Sequence, residues 1–377
     1  MFKFALLKRI DFRIIILLSF LMIISLAVIS SMTQEMNLNA AVFTPYVKSQ
    51  IKWFVLGWGA FFFFASMDYR ILKKWAWPLY ILMIVLLIGL YFTSPIQRVH
   101  RWYRIPFLGI TAQPSEAAKI IVVITLAFFL EKKGRLVETL PSAMQIAILI
   151  GLPFLLILKQ PDLGTALVLY PIGYVMCYFA NLHKGFLRVI ASVGLIAVTF
   201  VLLIFSNVLS HEKMKPFFCS FMKEYQYERL NPSTYHQNAA QIAISIGGIT
   251  GSGWRKGEFS MRKWLPAAHT DSVFAAYSEE FGLIGVFFLL LIFYGVIHLS
   301  LKISMQAKDT FGHLLGLGIA VYLAMHIIVN IAMMCGLLPI SGVPLIMITY
   351  GGNSILTTMG ALGILQSIYI RRFKFNG

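Results

Sequence analysis

Three segments place a carboxylate at the mouth of an apolar run: AQPSEAAK carries Glu116, KQPDLGTA carries Asp162 and AAHTDSVF carries Asp271. At a helix start the positive end of the backbone dipole stabilises an anion, so each position suits an acid held near a membrane. Capping explains part of the pattern: Ser115, Asp162 and Thr270 are N-cap residue types, and Pro114 and Pro161 suit a first turn. Glu116 and Lys119, one turn apart, suit an ion pair. Asp271 is different. If His269 or Thr270 caps its helix, folding does not require the extra carboxylate, and an ionisable residue at a membrane boundary is first a functional candidate. Arg101 and Arg104, in the segment RWYR, supply guanidinium groups that match phosphate oxygens, and Trp102 between them offers a flat apolar face. These cations beside the carboxylates suit a site for an anion at headgroup depth.

Glu279 and Glu280 follow Asp271 in the same run, about 12 to 13.5 Å deeper at about 1.5 Å per helical residue. They cannot reach the atom that Asp271 reaches, and are read as inward-facing, paired structural groups.

The elements that must position these residues are membrane helices. The chain has 377 residues, is 59% hydrophobic and 12% charged, and has a mean hydropathy of +0.79; soluble domains carry roughly 25% charged residues. About ten apolar runs are long enough to cross about 30 Å of hydrocarbon. They cover 14–33, 51–67, 77–93, 115–130, 141–158, 163–180, 186–205, 272–300, 314–335 and 343–370. The expected fold is an all-α polytopic membrane protein, one domain over 1–377, with a large outer loop at 207–271 between the seventh and eighth helices. The first run is too long for a signal peptide and lacks a small-residue cleavage site, so it is read as a retained helix.

Basic residues set the orientation. Lys3, Lys8, Arg9 and Arg13, then DYRILKK, EKKGRL, NLHKGFLR, LKISMQAKD and the terminal RRFKFNG, fall on one side with both termini, which is read as the cytoplasm. The net charge of +17 is therefore partly topogenic and does not argue for nucleic acid. The opposite side carries Arg98, Arg101 and Arg104, and further on Lys213, Lys215, Lys223, Arg229, Arg255, Lys256, Arg262 and Lys263. Long loops cross regardless of charge and basic residues meet lipid headgroups; the clustering of these cations around carboxylates and Trp102 favours an anion site.

Two of three cysteines, Cys177 and Cys335, lie in helices, leaving no disulfide framework. Metal-ligand spacings of the CxxC or HExxH kind are absent, and GGITGSGWRKG lacks the GK[ST] end of a nucleotide-binding loop, so no nucleotide is expected.

Five separated segments resemble one family. RW at Arg101, QPSEAAKI at Gln113, KQPDLGTALV at Lys159, HTDSVFAAYSEEFGLIG at His269 and GLLPISGVPLIMITYGGNS at Gly336 are similar to the signatures of the SEDS proteins of bacterial shape, elongation, division and sporulation. The short tails and the loop YERLNPSTYHQNAAQIAISIGG resemble the RodA branch more than the FtsW branch. The chain departs from the family pattern at Ala267, where an acid is common, at Ser272, where an aromatic is common, and at Thr349, where Ser is usual.

The resemblance implies a peptidoglycan glycosyltransferase that polymerises lipid II at the outer face of the bacterial cytoplasmic membrane, with inversion at the anomeric carbon. It implies a class B penicillin-binding protein as partner and a divalent cation, Mg or Mn, whose ligands the sequence does not mark. The family's essential carboxylate falls on Asp271. Arg101, Trp102, Arg104, Glu116, Lys119, Gln160, Asp162, His269 and Thr270 are the expected substrate-binding residues. In the last signature, Gly342, Pro344, Gly351 and Gly352 are read as irregular backbone around a helix start, with Tyr350 in packing and Asn353 offering a polar contact to the cavity. Competing readings are a lipid II flippase, which helices with buried charges also suit, and a non-catalytic scaffold for the penicillin-binding protein.

Overall fold

The computed structural model describes residues 4–33, 42–94, 100–105, 110–206, 208–220, 227–232 and 234–373. Lys3, Arg98, Lys223 and residues 374–377 lie outside the described residues. The chain forms α1 (Phe12–Met32), α2 (Pro45–Ser66), α3 (Ile71–Gly89), α4 (Pro114–Lys133), α5 (Leu140–Lys159), α6 (Leu163–Phe179) and α7 (Lys184–Phe205). The short α8 (His211–Phe218), α9 (Tyr235–Gly247) and α10 (Glu258–Met261) follow, then α11 (Val273–Met305), α12 (Thr310–Met334) and α13 (Gly352–Ile370). A two-stranded antiparallel hairpin, β1 (Tyr103–Ile105) and β2 (Ile110–Ala112), is the exception to an all-helical chain among the described residues.

Among the described residues, six helices are long and apolar enough on their own to cross a membrane. Two of the others are enclosed by protein. Helix α4 carries Glu116 and Lys119 at one end, and its buried residues run from Pro114 to Leu130, so neighbouring helices and not lipid surround it. Helix α13 is likewise buried along almost its whole length, packed against α2 and α12. Lipid-like exposure belongs to α7, whose buried residues are only Leu187 and Ile204.

Two expected boundaries are corrected. The run 343–370 is not one helix: α13 begins at Gly352, and 336–351 is irregular although Val343 and Leu345 to Ile348 are buried. Pro344 has no N–H to give a helix, and Gly342 sits at φ 77°. Irregular backbone at membrane depth persists only where protein satisfies its polar groups. Here Asn330 donates to the Val343 carbonyl at 2.7 Å, Ser25 to that of Ile348 at 2.8 Å and Gln50 to that of Thr349 at 3.2 Å. Nor is α11 capped by His269 or Thr270: it starts at Val273 with Ser272 in the N-cap position, after a turn in which the Thr270 and Ser272 N–H groups bond the Ala267 carbonyl at 3.0 and 3.2 Å. Pro161 likewise precedes the first turn of α6, which begins at Leu163, and Ser115 lies inside α4 after an N-cap at Gln113.

Helix α11 is broken at Gly282 (φ 61°). The broken turn is completed by the loop after α9: Ser252 and Gly253 donate to the carbonyls of Glu279 and Glu280 at 2.9 Å, and Leu283 donates to that of Gly248 at 2.9 Å. Glu279 accepts the Phe259 N–H at 2.8 Å and the Ser260 N–H at 3.0 Å, and Glu280 accepts the Arg255 N–H at 3.1 Å and the Ser31 hydroxyl. These glutamates are thus structural, as expected, and their partners include backbone N–H groups and serine hydroxyls that clamp the outer loop to the helix leading from Asp271. A Cβ on Gly251 (φ 79°) would stand 2.2 Å from the Glu280 carbonyl oxygen, a backbone atom that cannot move aside. Gly251→Val is therefore expected to destabilise the protein by about 3 kcal/mol or more through strain and overpacking. Thermal unfolding in detergent checks this; an unchanged midpoint would show that the loop is not docked on the break.

Candidate active site

A cavity of about 660 Å³ lies where the starts of α2, α4, α6, α11 and α13 meet. Asp271, Thr270, Asp162, Glu116, Arg101 and Trp102 line it, as do Tyr350 and Asn353 of the last signature.

Each side chain is held by local structure. Asp162 caps α6, accepting the Thr165 N–H at 3.4 Å on one oxygen. Its other oxygen accepts from Ser115 at 2.9 Å, Thr165 at 3.0 Å and Gln113 at 3.1 Å. A carboxylate so engaged joins the starts of α4 and α6, which supports the capping reading over a reacting role. Gln113 passes the order outward by accepting the Trp102 indole N–H at 3.2 Å. Arg101 donates to the Gln160 carbonyl at 3.0 Å, and the Gln160 amide is itself tied to the Leu87 carbonyl at 2.8 Å, so the guanidinium is anchored at the base of the hairpin. Glu116 and Lys119 form the expected ion pair at 2.8 Å, both buried.

Asp271 sits on the non-helical turn before α11. The Asn330 amide bonds its carbonyl at 3.1 Å, and the Tyr350 N–H bonds that of His269 at 3.0 Å. The two irregular segments, 267–272 and 342–351, therefore brace each other across the cavity. Burial pushes the Asp271 carboxyl above its ordinary range; Arg101 and His269 oppose that shift and Asp162 adds to it. Burial lowers His269, with Asp271 pulling the other way. A carboxylate raised by desolvation and faced by a guanidinium suits proton abstraction beside a developing anion.

Not every expected residue reaches the cavity. Arg104 is exposed on β1 and does not line it. His269 packs its ring against Tyr46 and Tyr350, with centroids 5.1 and 6.0 Å apart, and Gln160 and Lys119 act from behind the wall. Conversely, Tyr350 lines the cavity and donates to Ser49 at 3.2 Å, so it does more than pack. Asn353 does line the cavity, with its amide on the Thr111 carbonyl at 2.8 Å. Sequence reasoning missed Ser49 and Trp53 of α2, which carried no motif, and His326 of α12, whose signal was available: a histidine deep inside an apolar helix. Among the described residues, no group of three or more His, Cys, Asp or Glu is placed to hold a metal.

A helical bundle with a charged cavity walled by irregular backbone defines an integral membrane protein whose polar site is built between helix ends. Residues 6–373 match the sequence family described as cell cycle proteins, FtsW/RodA/SpoVE, and the chain belongs to that family. It is 33% identical over 324 residues to the peptidoglycan glycosyltransferase MrdB of Escherichia coli K12, covering 82% of this chain and 81% of that protein. It is 32% identical over 338 residues to a probable peptidoglycan glycosyltransferase FtsW of Trichlorobacter lovleyi, covering 86% and 83%. Among solved structures, a chain of a peptidoglycan synthase complex described as coordinating polymerization and crosslinking superposes with a TM-score of 0.76 at 25% identity, covering 97% of this chain and 99% of that one. The rod shape determining protein RodA of Thermus thermophilus shares the fold, with a TM-score of 0.70 at 22% identity over 97% and 98% of the two chains.

Proposed function

We infer that this protein is a peptidoglycan glycosyltransferase that polymerises lipid II, with Asp271 as general base. The observation that carries the reading is Asp271 itself: a desolvated carboxylate facing Arg101 across one cavity, on a segment braced for position and not used as a helix cap. In each elongation step the 4-hydroxyl oxygen of the acceptor sugar forms a bond to the anomeric carbon of the donor. The bond from that carbon to the lipid diphosphate breaks with inversion, the hydroxyl proton passes to Asp271, and the electron pair leaves with the diphosphate. Arg101 faces the departing charge, the kind of fixed stabilisation that lowers such barriers most. Trp102 offers its face to sugar or prenyl. Asp162 organises the wall and Thr270 presents the turn that carries the base.

A divalent cation fits the donor set in part. Asp162 is engaged by its hydrogen bonds and Glu116 by Lys119, which leaves Asp271 as the cavity carboxylate that would face such an ion. The ion would supply charge neutralisation for the leaving group.

The basic segments support a topology with both termini in the cytoplasm and the cavity at the outer face of the cytoplasmic membrane. The partner is a class B penicillin-binding protein that crosslinks the emerging strand. The chain forms one domain, with the loop 207–271 as its outer part.

The test is polymerisation of labelled lipid II by the purified protein in vesicles, with and without that partner and a divalent cation. Glycan ladders are the expected result. Transfer of lipid II across the bilayer with no polymer in either condition would replace this reading with a flippase.

A further inference from the structure

Behind the cavity wall, three buried side chains form a line. The Lys119 ammonium lies 2.8 Å from Glu116 Oε1 and 2.8 Å from His326 Nε2, over the face of Tyr322 at 5.5 Å from the ring centroid. Lys119 and His326 are 1% and 0% exposed, so water does not complete either shell. His326 Nδ1 lies 3.1 Å from the Pro344 carbonyl. A carbonyl only accepts, so Nδ1 carries the ring proton and Nε2 presents a lone pair to the ammonium. One turn along α12, Asn330 bonds the Val343 and Asp271 carbonyls. One helix face thus anchors both the segment that walls the cavity and the charged pair behind it.

The consequence falls on Glu116. An ammonium beside a lone carboxylate in a dry site would draw both oxygens to itself; a second acceptor on the far side holds Lys119 on Oε1 alone. Glu116 lines the cavity, and its Oε2 has no hydrogen-bond partner among the described residues. A buried oxygen without a partner is costly, and a donor from a bound molecule removes the cost.

We propose that His326 is a positioning residue of the polymerase: as the neutral Nδ1–H imidazole it fixes Lys119, which leaves Glu116 Oε2 free to accept an O–H or N–H of the lipid-linked sugar. This rests on the glycosyltransferase reading for its consequence, and on geometry alone for the His326–Lys119 contact.

The experiment compares wild type with His326→Leu, His326→Gln, Lys119→Met and the Leu/Met double variant, in lipid II kinetics and in thermal unfolding. His326→Leu is expected to raise KM for lipid II about tenfold, the weight of one hydrogen bond to a charged group, with kcat within about threefold. His326→Gln, which keeps one acceptor for Lys119 and one donor for Pro344, is expected to restore KM to within about threefold, since the lost bonds are remade. The falls in unfolding midpoint from His326→Leu and Lys119→Met are expected to be non-additive, because the two groups share one contact. Wild-type KM in His326→Leu, a Gln variant as impaired as Leu, or additive midpoint changes would each overturn the proposal. Should the Leu variant not fold, His326→Asn, whose shorter amide reaches one partner at most, takes its place with the same expected rise in KM. If the wild type makes no polymer, the glycosyltransferase reading fails by itself, and the unfolding comparison still decides whether His326 and Lys119 are coupled.

Discussion

Replacing Asp271 with Asn is expected to lower the rate of lipid II polymerisation by about 10² to 10⁴, the contribution of a positioned general base. The amide keeps the size of the carboxylate and leaves the turn intact, because the bonds that brace this segment run through backbone carbonyls, from Asn330 to Asp271 and from Tyr350 to His269. Lipid II affinity should therefore change little while turnover collapses. Initial rates at saturating and limiting lipid II separate the two quantities. A loss confined to KM would make Asp271 a binding group and leave the base elsewhere.

The second large effect is expected at Arg101. Arg101→Gln should lower turnover by about 10² to 10³, the cost of removing one fixed stabiliser of developing negative charge. It should also move the acid limb of the rate–pH profile upward. Arg101 is the larger of the two influences that hold the Asp271 carboxyl down against burial, so without it the carboxyl protonates at higher pH. A parallel loss in an Arg104→Gln variant is not expected, because Arg104 lies outside the cavity on the exposed hairpin. Equal effects at the two arginines would mean that their charge acts at long range on an anionic lipid surface.

What was legible in the sequence follows the range of the interactions. Glu116 with Lys119 is a contact within one helical turn that spacing announces, and Asp162 is a residue type that caps a helix. Asp271 was legible because a carboxylate at a membrane boundary has no cheap structural explanation. The start of α13 was misread because Val343 to Ile348 has the same hydropathy whether it winds or not; the decision lies in Ser25, Gln50 and Asn330, which come from three other helices and satisfy its backbone. Arg104 was grouped with Arg101 by proximity in sequence, yet only Arg101 has the Gln160 carbonyl to turn it toward the cavity. His326 carried a visible signal, but its partners Lys119 and Pro344 stand on separate segments that only the folded bundle brings to it.

Transfer of the acceptor proton to Asp271 is tested most directly by the rate–pH profile of single-turnover polymerisation. As pH falls through the raised value of the buried carboxyl, the base is protonated and the rate declines. The wild type is expected to show an acid limb above the ordinary carboxylate value of 3.8, and Asp271→Asn residual activity without that limb. An Asp271→Asn protein that keeps the wild-type acid limb would contradict it, since the titrating base would then be another group.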